Sequence, residues 1–383
     1  MSDLSIYIHY PFCKSKCPYC DFNSHVGNGI GDDNLLMAYQ KELQYFKNLI
    51  GNKKVKTIYF GGGTPSLMSE KLLDGILQKI SDEFYILNSV EITMEANPTS
   101  FEVGKFKAFK NIGLNRLSLG IQSLNDADLK FLGREHNSKD AILAIQKTSE
   151  IFDNYSFDLI YARPNQNLNH WEKELHQAMK LTANHISLYQ LTIEKGTEFF
   201  AQYRDKKFTL PNENVASEMY ELTDNILGER GFEKYEISNY AKPNFESQHN
   251  LAYWQYDEYI GIGAGAHSRV SLPPNSRNAI VMESNPQKWY DKAIVKNAGI
   301  QRNDKVSGQD LASEILLMGL RLKEGISLKK FEQITSKNLG EMINHTGFEK
   351  MSELNLIELK NDHLRTTEGG MFVLGSVLSE LIL

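Results

Sequence analysis

The sequence predicts an α/β fold: an incomplete (β/α) barrel of six units, followed by a small C-terminal helical module resembling a winged helix. Three observations carry this expectation. Short apolar, β-rich runs alternate with longer helical patterns at roughly 30-residue spacing, and strand–helix–strand repetition demands parallel pairing with helices outside. The alternation stops near Ile300, where helical segments and a hairpin take over. The chain is 383 residues long and 41% apolar, enough for one large core and a satellite.

In chain order, the strands expected are Ser5–His9, Thr57–Phe60, Glu91–Glu95, Arg116–Ile121, Ser156–Ile160 and His185–Leu191. Helical periodicity lies between them, over Asp33–Ile50, Ser69–Asp82, Phe101–Asn111, Lys139–Phe152 and His170–Leu181. A helix over Glu213–Arg230, an extended piece at Glu233–Ile237 and a Gly-rich run, Gly261–Ala266, complete a first domain spanning residues 1–299. Residues 300–383 form the second, with helices at Gly308–Leu322, Leu328–Thr335 and Glu341–Leu354 and a hairpin pairing Ile357–Leu359 with Leu364–Thr366. Its architecture suits a packing domain better than DNA binding, because the chain is acidic, with a formal charge of −6, and has no basic block.

That charge also argues against nucleic acid as a partner, since affinity for it rests on a basic face that neutralises phosphates. No apolar run approaches the roughly 18 residues needed to span a bilayer. The N-terminus, Met1-Ser2-Asp3-Leu4, lacks a basic region followed by a long apolar stretch, so the expectation is a cytoplasmic protein. Three cysteines fall within eight residues and none elsewhere, a poor disulfide framework.

Those residues read Cys13-Lys14-Ser15-Lys16-Cys17-Pro18-Tyr19-Cys20, immediately after the first expected strand, where barrel active sites form. Three thiolates on one loop can converge on one metal centre. A structural zinc site wants four protein ligands, and no Cys or His pair supplies the fourth. A cubane iron–sulfur cluster held by three thiolates keeps one iron open to an exogenous ligand. Lys14 and Lys16 are expected to favour the thiolate forms.

Cys-x3-Cys-x-aromatic-Cys after a first strand resembles the signature of the radical S-adenosylmethionine (SAM) superfamily. The resemblance implies a [4Fe–4S] cluster on Cys13, Cys17 and Cys20. It also implies SAM chelating the open iron and one-electron cleavage of SAM to a 5′-deoxyadenosyl radical.

The second strand ends in Gly61-Gly62-Gly63-Thr64, with no Cβ at three positions to hinder a ligand, and without the Lys-Ser/Thr of a P-loop. Glu95, Gln122 and Asp158 fall at or near the ends of the third, fourth and fifth strands. Each carboxylate reads equally well as a structural hydrogen-bonder, but polar residues at successive strand ends favour a site. Arg134 suits a bidentate carboxylate pair or a surface ion pair.

From Tyr7 to about Ser268 the chain resembles the HemN-like family, which holds oxygen-independent coproporphyrinogen III dehydrogenases and haem chaperones, and a similar C-terminal module follows. By that resemblance Tyr7, Tyr19, Gly62, Gly63, Thr64, Glu95, Gln122, Arg134 and Asp158 line the SAM site, and Gly261–His267 lies near the adenosyl moiety. Three features favour the haem-chaperone branch. Asp21-Phe22 replaces a further cysteine, no long arm precedes Cys13, and His249-Asn250-Leu251-Ala252-Tyr253-Trp254 resembles that branch's haem-binding motif. His249 offers an axial nitrogen, and Tyr253 and Trp254 offer flat apolar surface; without the resemblance, a histidine among aromatics reads as core packing. Tyr161-Ala162-Arg163-Pro164 departs from the family pattern and places a cation, Arg163, near the expected site, while His267 stays unassigned.

The function implied is haem carriage to an acceptor protein, with cluster and SAM serving regulation or transfer. No catalytic residue is assigned, and the absence of a span leaves room for peripheral contact with a membrane-bound acceptor. The alternatives are a dehydrogenase converting porphyrinogen propionates to vinyls, not expected without the fourth cysteine, and a radical SAM enzyme with an unrelated substrate.

Overall fold

A computed structural model describes residues 1–27, 29–273 and 276–383. The six expected strands form as β1 (Asp3–Tyr10), β2 (Lys54–Gly62), β3 (Tyr85–Ala96), β4 (Arg116–Gln122), β5 (Asn154–Tyr161) and β6 (His185–Gln190). They pair in sequential order and in parallel. The crossovers carry α1 (Asp32–Ile50), α2 (Glu70–Glu83), α3 (Phe106–Ile112), α4 (Ser138–Ile151) and α5 (Leu168–Met179). Each helix lays an apolar stripe on the sheet; on α1 it includes Leu35, Leu43 and Phe46, each worth about 1.5–3 kcal/mol of burial. Starts are fixed by side-chain caps: Ser69 accepts from the Leu72 N–H, and Asn137 and Asp140 form a reciprocal capping box.

The helix expected at Phe101–Asn111 is broken. One turn at Ser100–Val103 precedes α3, because the buried Glu102 carboxylate turns back to accept from Thr99 Oγ1 (3.0 Å) and the Asn97 N–H (2.9 Å). That contact pins the chain before the helix proper.

The sheet extends further than the six units. On its far side lie β7 (Glu233–Glu236) and β8 (Asn239–Ala241), with β8 antiparallel to β6. On the other side β9 (Tyr259–Ile262) pairs with β1 in parallel, and β10 (His267–Leu272), β11 (Ser276–Met282) and β12 (Ile300–Val306) continue antiparallel. The order is β12-β11-β10-β9-β1-β2-β3-β4-β5-β6-β8-β7, so the sheet does not close on itself and the barrel is incomplete; the outer side of β7 makes an isolated bridge from Glu236 to Leu322.

The Gly-rich run exists for this extension. A Cβ on Gly261 would sit 2.1 Å from the His267 carbonyl oxygen, and one on Gly263 (φ +108°) 2.4 Å from that of His9. The buried Glu42 of α1 then accepts N–H bonds from Gly263, Gly299 and the Trp289 indole, all at 2.8 Å.

The C-terminal module has its own core, including Val306, Leu316, Phe331, Leu364 and Val377. Its helices are Gly308–Gly319, Leu328–Thr335 and His345–Glu353, and its hairpin pairs Ile357–Lys360 with His363–Thr366. Because β12 belongs to the large sheet, the break between the cores moves from residue 299 to about Val306. A last helix, Leu374–Leu381, is a surprise, since Gly375 and Ser376 interrupt its apolar run; both are exposed, while Leu374, Val377 and Leu381 pack inward. Among the described residues no helix is long and apolar enough to cross a membrane.

Candidate functional site

A cavity of about 820 Å³ occupies the barrel lumen and opens at the carboxyl ends of the strands. The residues singled out to hold the cluster, line the SAM site or contact haem all line it, from Cys13, Cys17 and Cys20 at one end to His249, Tyr253 and Trp254 at the other. The stretch set near the adenosyl moiety and the departing Arg163 do not. Gly261–His267 is spent on the sheet extension, and Arg163 turns away to pair with Glu174 and Asp128 behind the strands.

The cysteine loop leaves β1 and is tied back by the short pairing of Phe12–Cys13 with His25–Val26. All three thiols are free and half-buried. Thr64 Oγ1 donates to Cys13 Sγ (3.3 Å) and Arg134 Nη1 to Cys17 Sγ (3.5 Å), the outer hydrogen bonds that stabilise sulfur-held negative charge. Lys16 does lower the Cys20 thiol as its charge requires, but burial wins, and the Cys13 and Cys20 thiols sit above their ordinary value. Burial therefore opposes the thiolate forms of these two, and a metal centre held there would supply the positive charge that favours them. No three His, Cys, Asp or Glu side chains among the described residues gather closely enough for a single ion. A four-iron cluster, whose ligands are spread over separate irons, suits the donor set better than one zinc.

The glycines that end β2 are also required by the protein's own packing. Gly62 has φ +108°, and a Cβ there would meet the His9 ring at 2.6 Å; on Gly63 it would meet the Phe12 carbonyl oxygen at 2.6 Å. They admit the His9 ring from β1 and the Phe12 backbone of the cysteine loop, and both glycines also line the cavity. Their backbone still serves the site, since the Gly62 N–H donates to Glu95 Oε2 (3.3 Å).

Glu95 also accepts from Tyr59 Oη (2.8 Å), and Asp158 is bonded by Ser187. Burial pushes Glu95 up to about 7 and Asp158 up to about 6, so both stay partly protonated near neutrality. Arg134 makes no carboxylate pair. It donates to the Gly120 carbonyl (2.8 Å), to Asn97 Oδ1 and to Tyr19 Oη (3.5 Å), which fixes a cation beside the cysteines. Gln122, at φ +70°, is thrown out of the strand's alternation into the cavity mouth. Tyr7 stands beside His9, Oη to Nδ1 at 3.1 Å, and stacks on Tyr59.

His249 is fully buried on the short helix Gln248–Trp254. Its Nδ1 meets Thr57 Oγ1 (2.8 Å), its Nε2 meets Tyr253 Oη (3.1 Å), and its ring stacks on Tyr59. Burial lowers it to about 3, so the imidazole is neutral, the form that ligates iron. Both nitrogens are engaged, and a ligand role requires Tyr253 to move aside. Trp254 carries the Arg321 guanidinium over its ring at 4.4 Å, which brings the C-terminal module into the cavity wall.

Strand-end reasoning does not reach the lumen itself, where Tyr59, Arg116, Ser118, Ser156, His185, Ser187 and Glu236 also line the cavity. The signal was available. A parallel sheet covered on both faces reads as continuous apolar runs, whereas Arg116–Gln122 and His185–Gln190 alternate polar and apolar residues. That alternation marks a lumen left open for ligand.

The sheet order, the three-cysteine loop and the open lumen define a class. Residues 7–178 match the radical SAM superfamily model, and residues 306–373 match the HemN C-terminal domain. A solved structure of coproporphyrinogen III oxidase (HemN) from Escherichia coli superposes with a TM-score of 0.81 at 19% identity, covering 98% of this chain and 89% of that one, which shows the fold. The heme chaperone HemW of Haemophilus influenzae is 36% identical over 98% of this chain and 97% of its own length. The bovine "Radical S-adenosyl methionine domain-containing protein 1, mitochondrial" is 34% identical over 99% of this chain and 87% of its own. The chain belongs to the HemW-like family of radical SAM proteins. Membership implies one [4Fe–4S] cluster and SAM.

Proposed function

We propose that this chain is a cytoplasmic carrier that binds haem and delivers it to an acceptor protein. In this reading Cys13, Cys17 and Cys20 hold the cluster. Tyr7, Tyr19, Gly62, Gly63, Thr64, Glu95, Gln122, Arg134 and Asp158 surround SAM, and His249, Tyr253 and Trp254 contact haem. The observation that carries it is the shared cavity: the His249–Trp254 motif lines the same space as the three cysteines. Relatives named heme chaperone, matching along nearly the whole chain, support the same reading.

Bound cluster and SAM supply one-electron chemistry at the open iron. The chain's own residues do the rest. Thr64 and Arg134 hold charge on the sulfurs, Glu95 and Asp158 offer acceptor oxygens to a cationic or hydroxylated ligand, and the lumen walls exclude water. Aromatic faces at Tyr253 and Trp254 and the neutral His249 nitrogen suit a flat, iron-bearing macrocycle.

Anaerobic reconstitution should load about four irons per chain, and Cys17→Ala should abolish the cluster. The protein should also bind about one haem, with His249→Ala or Trp254→Ala weakening it roughly tenfold while the cluster still assembles. Catalytic formation of protoporphyrinogen without haem affinity would replace this reading with the dehydrogenase.

A further inference from the structure

The floor of the lumen holds a buried cation that no carboxylate contacts among the described residues. Arg116 opens β4, is 2% exposed, and faces the cavity between Thr93 on β3 and Asn154 on β5. Its one hydrogen bond is from Nη2 to Ser156 Oγ at 2.9 Å, its Nε is unbonded, and it joins none of the ion pairs among the described residues. Asp158 on β5 feels the Arg116 charge but is hydrogen-bonded to Ser187, and burial keeps it partly protonated, so it offsets that charge only in part. His185, 1% exposed on β6 two strands away, meets Tyr235 Oη with Nε2 (2.9 Å) and leaves Nδ1 unbonded; with Nε2 accepting the hydroxyl, the ring proton sits on Nδ1 as a free donor. Both residues line the cavity.

A guanidinium taken out of water costs several kcal/mol unless it is paired, and a donor left without an acceptor adds to that cost. Such an arrangement persists when a ligand supplies the missing charge. We propose that Arg116, assisted by His185 Nδ1, binds a carboxylate that enters the lumen from the cluster side. The planar fork of arginine matches a carboxylate with two parallel N–H···O bonds. The proposed haem has such groups in its propionates, so the identity of the carboxylate, though not the site, rests on the haem reading.

The test uses the full-length protein and the variants Arg116→Met and Arg116→Lys. Removing a buried charge that no carboxylate contacts should leave the ligand-free protein melting at or above the wild-type temperature. Haem affinity should fall at least about tenfold in Arg116→Met and less in Arg116→Lys. Haem dimethyl ester, which lacks the charges, should bind wild type and Arg116→Met alike. A ligand-free Arg116→Met protein that melts well below wild type or does not fold makes Arg116 a structural residue and overturns the proposal, as does unchanged haem affinity. If wild type binds no haem, the carrier reading falls and propionate alone decides. Tens of millimolar propionate, against chloride at equal ionic strength, should then raise the melting temperature of wild type but not of Arg116→Met. No difference between the two overturns the site.

Discussion

Two buried arginines stand on opposite sides of the same sheet, and they are treated in opposite ways. Arg163 follows β5, is 1% exposed, and grips Glu174 with both Nη atoms, with Asp128 at 3.1 Å. Glu174 is saturated in turn by Ser123 Oγ (2.6 Å) and the Leu124 N–H (2.8 Å). Arg116, equally buried, bonds Ser156 and touches no carboxylate among the described residues. Behind the strands the buried cation is matched by carboxylates, while in the lumen it has none in contact among the described residues. Position at a strand end, which made Arg163 look like a site residue, is a weaker guide than the face on which the side chain falls.

The largest effect should come from breaking the closed side. Glu174→Ala strands Arg163 with a half-exposed Asp128 and removes the acceptor for Ser123 and Leu124. About 3–5 kcal/mol of stability should be lost, read as a lower urea midpoint at unchanged slope. A loss below about 1 kcal/mol would erase the distinction between the two arginines.

Titration sharpens the same contrast on the acids. Glu95 rises from 4.5 to about 7 and Asp158 from 3.8 to about 6, both chiefly through burial. Between those limits the folded protein holds protons that the unfolded chain has released, so stability falls as pH rises through about 4 to 7. At 1.36 kcal/mol per pH unit, Glu95 alone accounts for about 3 kcal/mol lost by pH 8. Glu95→Gln should flatten that decline, since the amide oxygen can accept from the Gly62 N–H while the Tyr59 hydroxyl turns to accept from the amide N–H. Glu42 is raised to about 7 as well, yet both its oxygens serve backbone and indole N–H groups. Glu42→Gln turns an amide donor toward one of those N–H groups and should destabilise even at pH 5. Unfolding free energies at pH 5 and pH 8 check both; equal behaviour of the two variants would contradict the contrast.

Most of the framework was legible because its signals are local. Strand and helix periods and a cysteine triplet after β1 need no knowledge of distant contacts. What was not legible is mostly non-local. Glu102 breaks a helix through bonds to Thr99 and Asn97, and β12 joins a sheet whose other members lie upstream. Gly62 lies between these cases: the sequence marks it as special, but the atom it avoids is a His9 ring brought in by β1. Gly62→Ala should therefore cost about 1–2 kcal/mol from its φ of +108° alone, before the ring moves. A stability loss in the ligand-free protein is the expected readout; loss of SAM response at full stability would instead restore a pure ligand-access role.

The smallest expected effect bears on His249, the residue where framework and lumen meet. Its ring is held like a core residue, Nδ1 to Thr57 and Nε2 to Tyr253, yet it lines the cavity. With the proton on Nδ1, the Nε2 lone pair accepts the Tyr253 hydroxyl, and an iron atom would have to displace that hydroxyl to reach it. Tyr253→Phe removes the obstacle and keeps the aromatic face. Its stability cost should be about 1 kcal/mol, one net hydrogen bond. Haem affinity should rise if Nε2 ligates iron, because the competing bond is gone, and the ferric absorption should shift toward a nitrogen-ligated form. Unchanged affinity and spectrum would leave His249 a packing residue and place the ligand elsewhere in the cavity, which would put this histidine on the closed side of the comparison with Arg163.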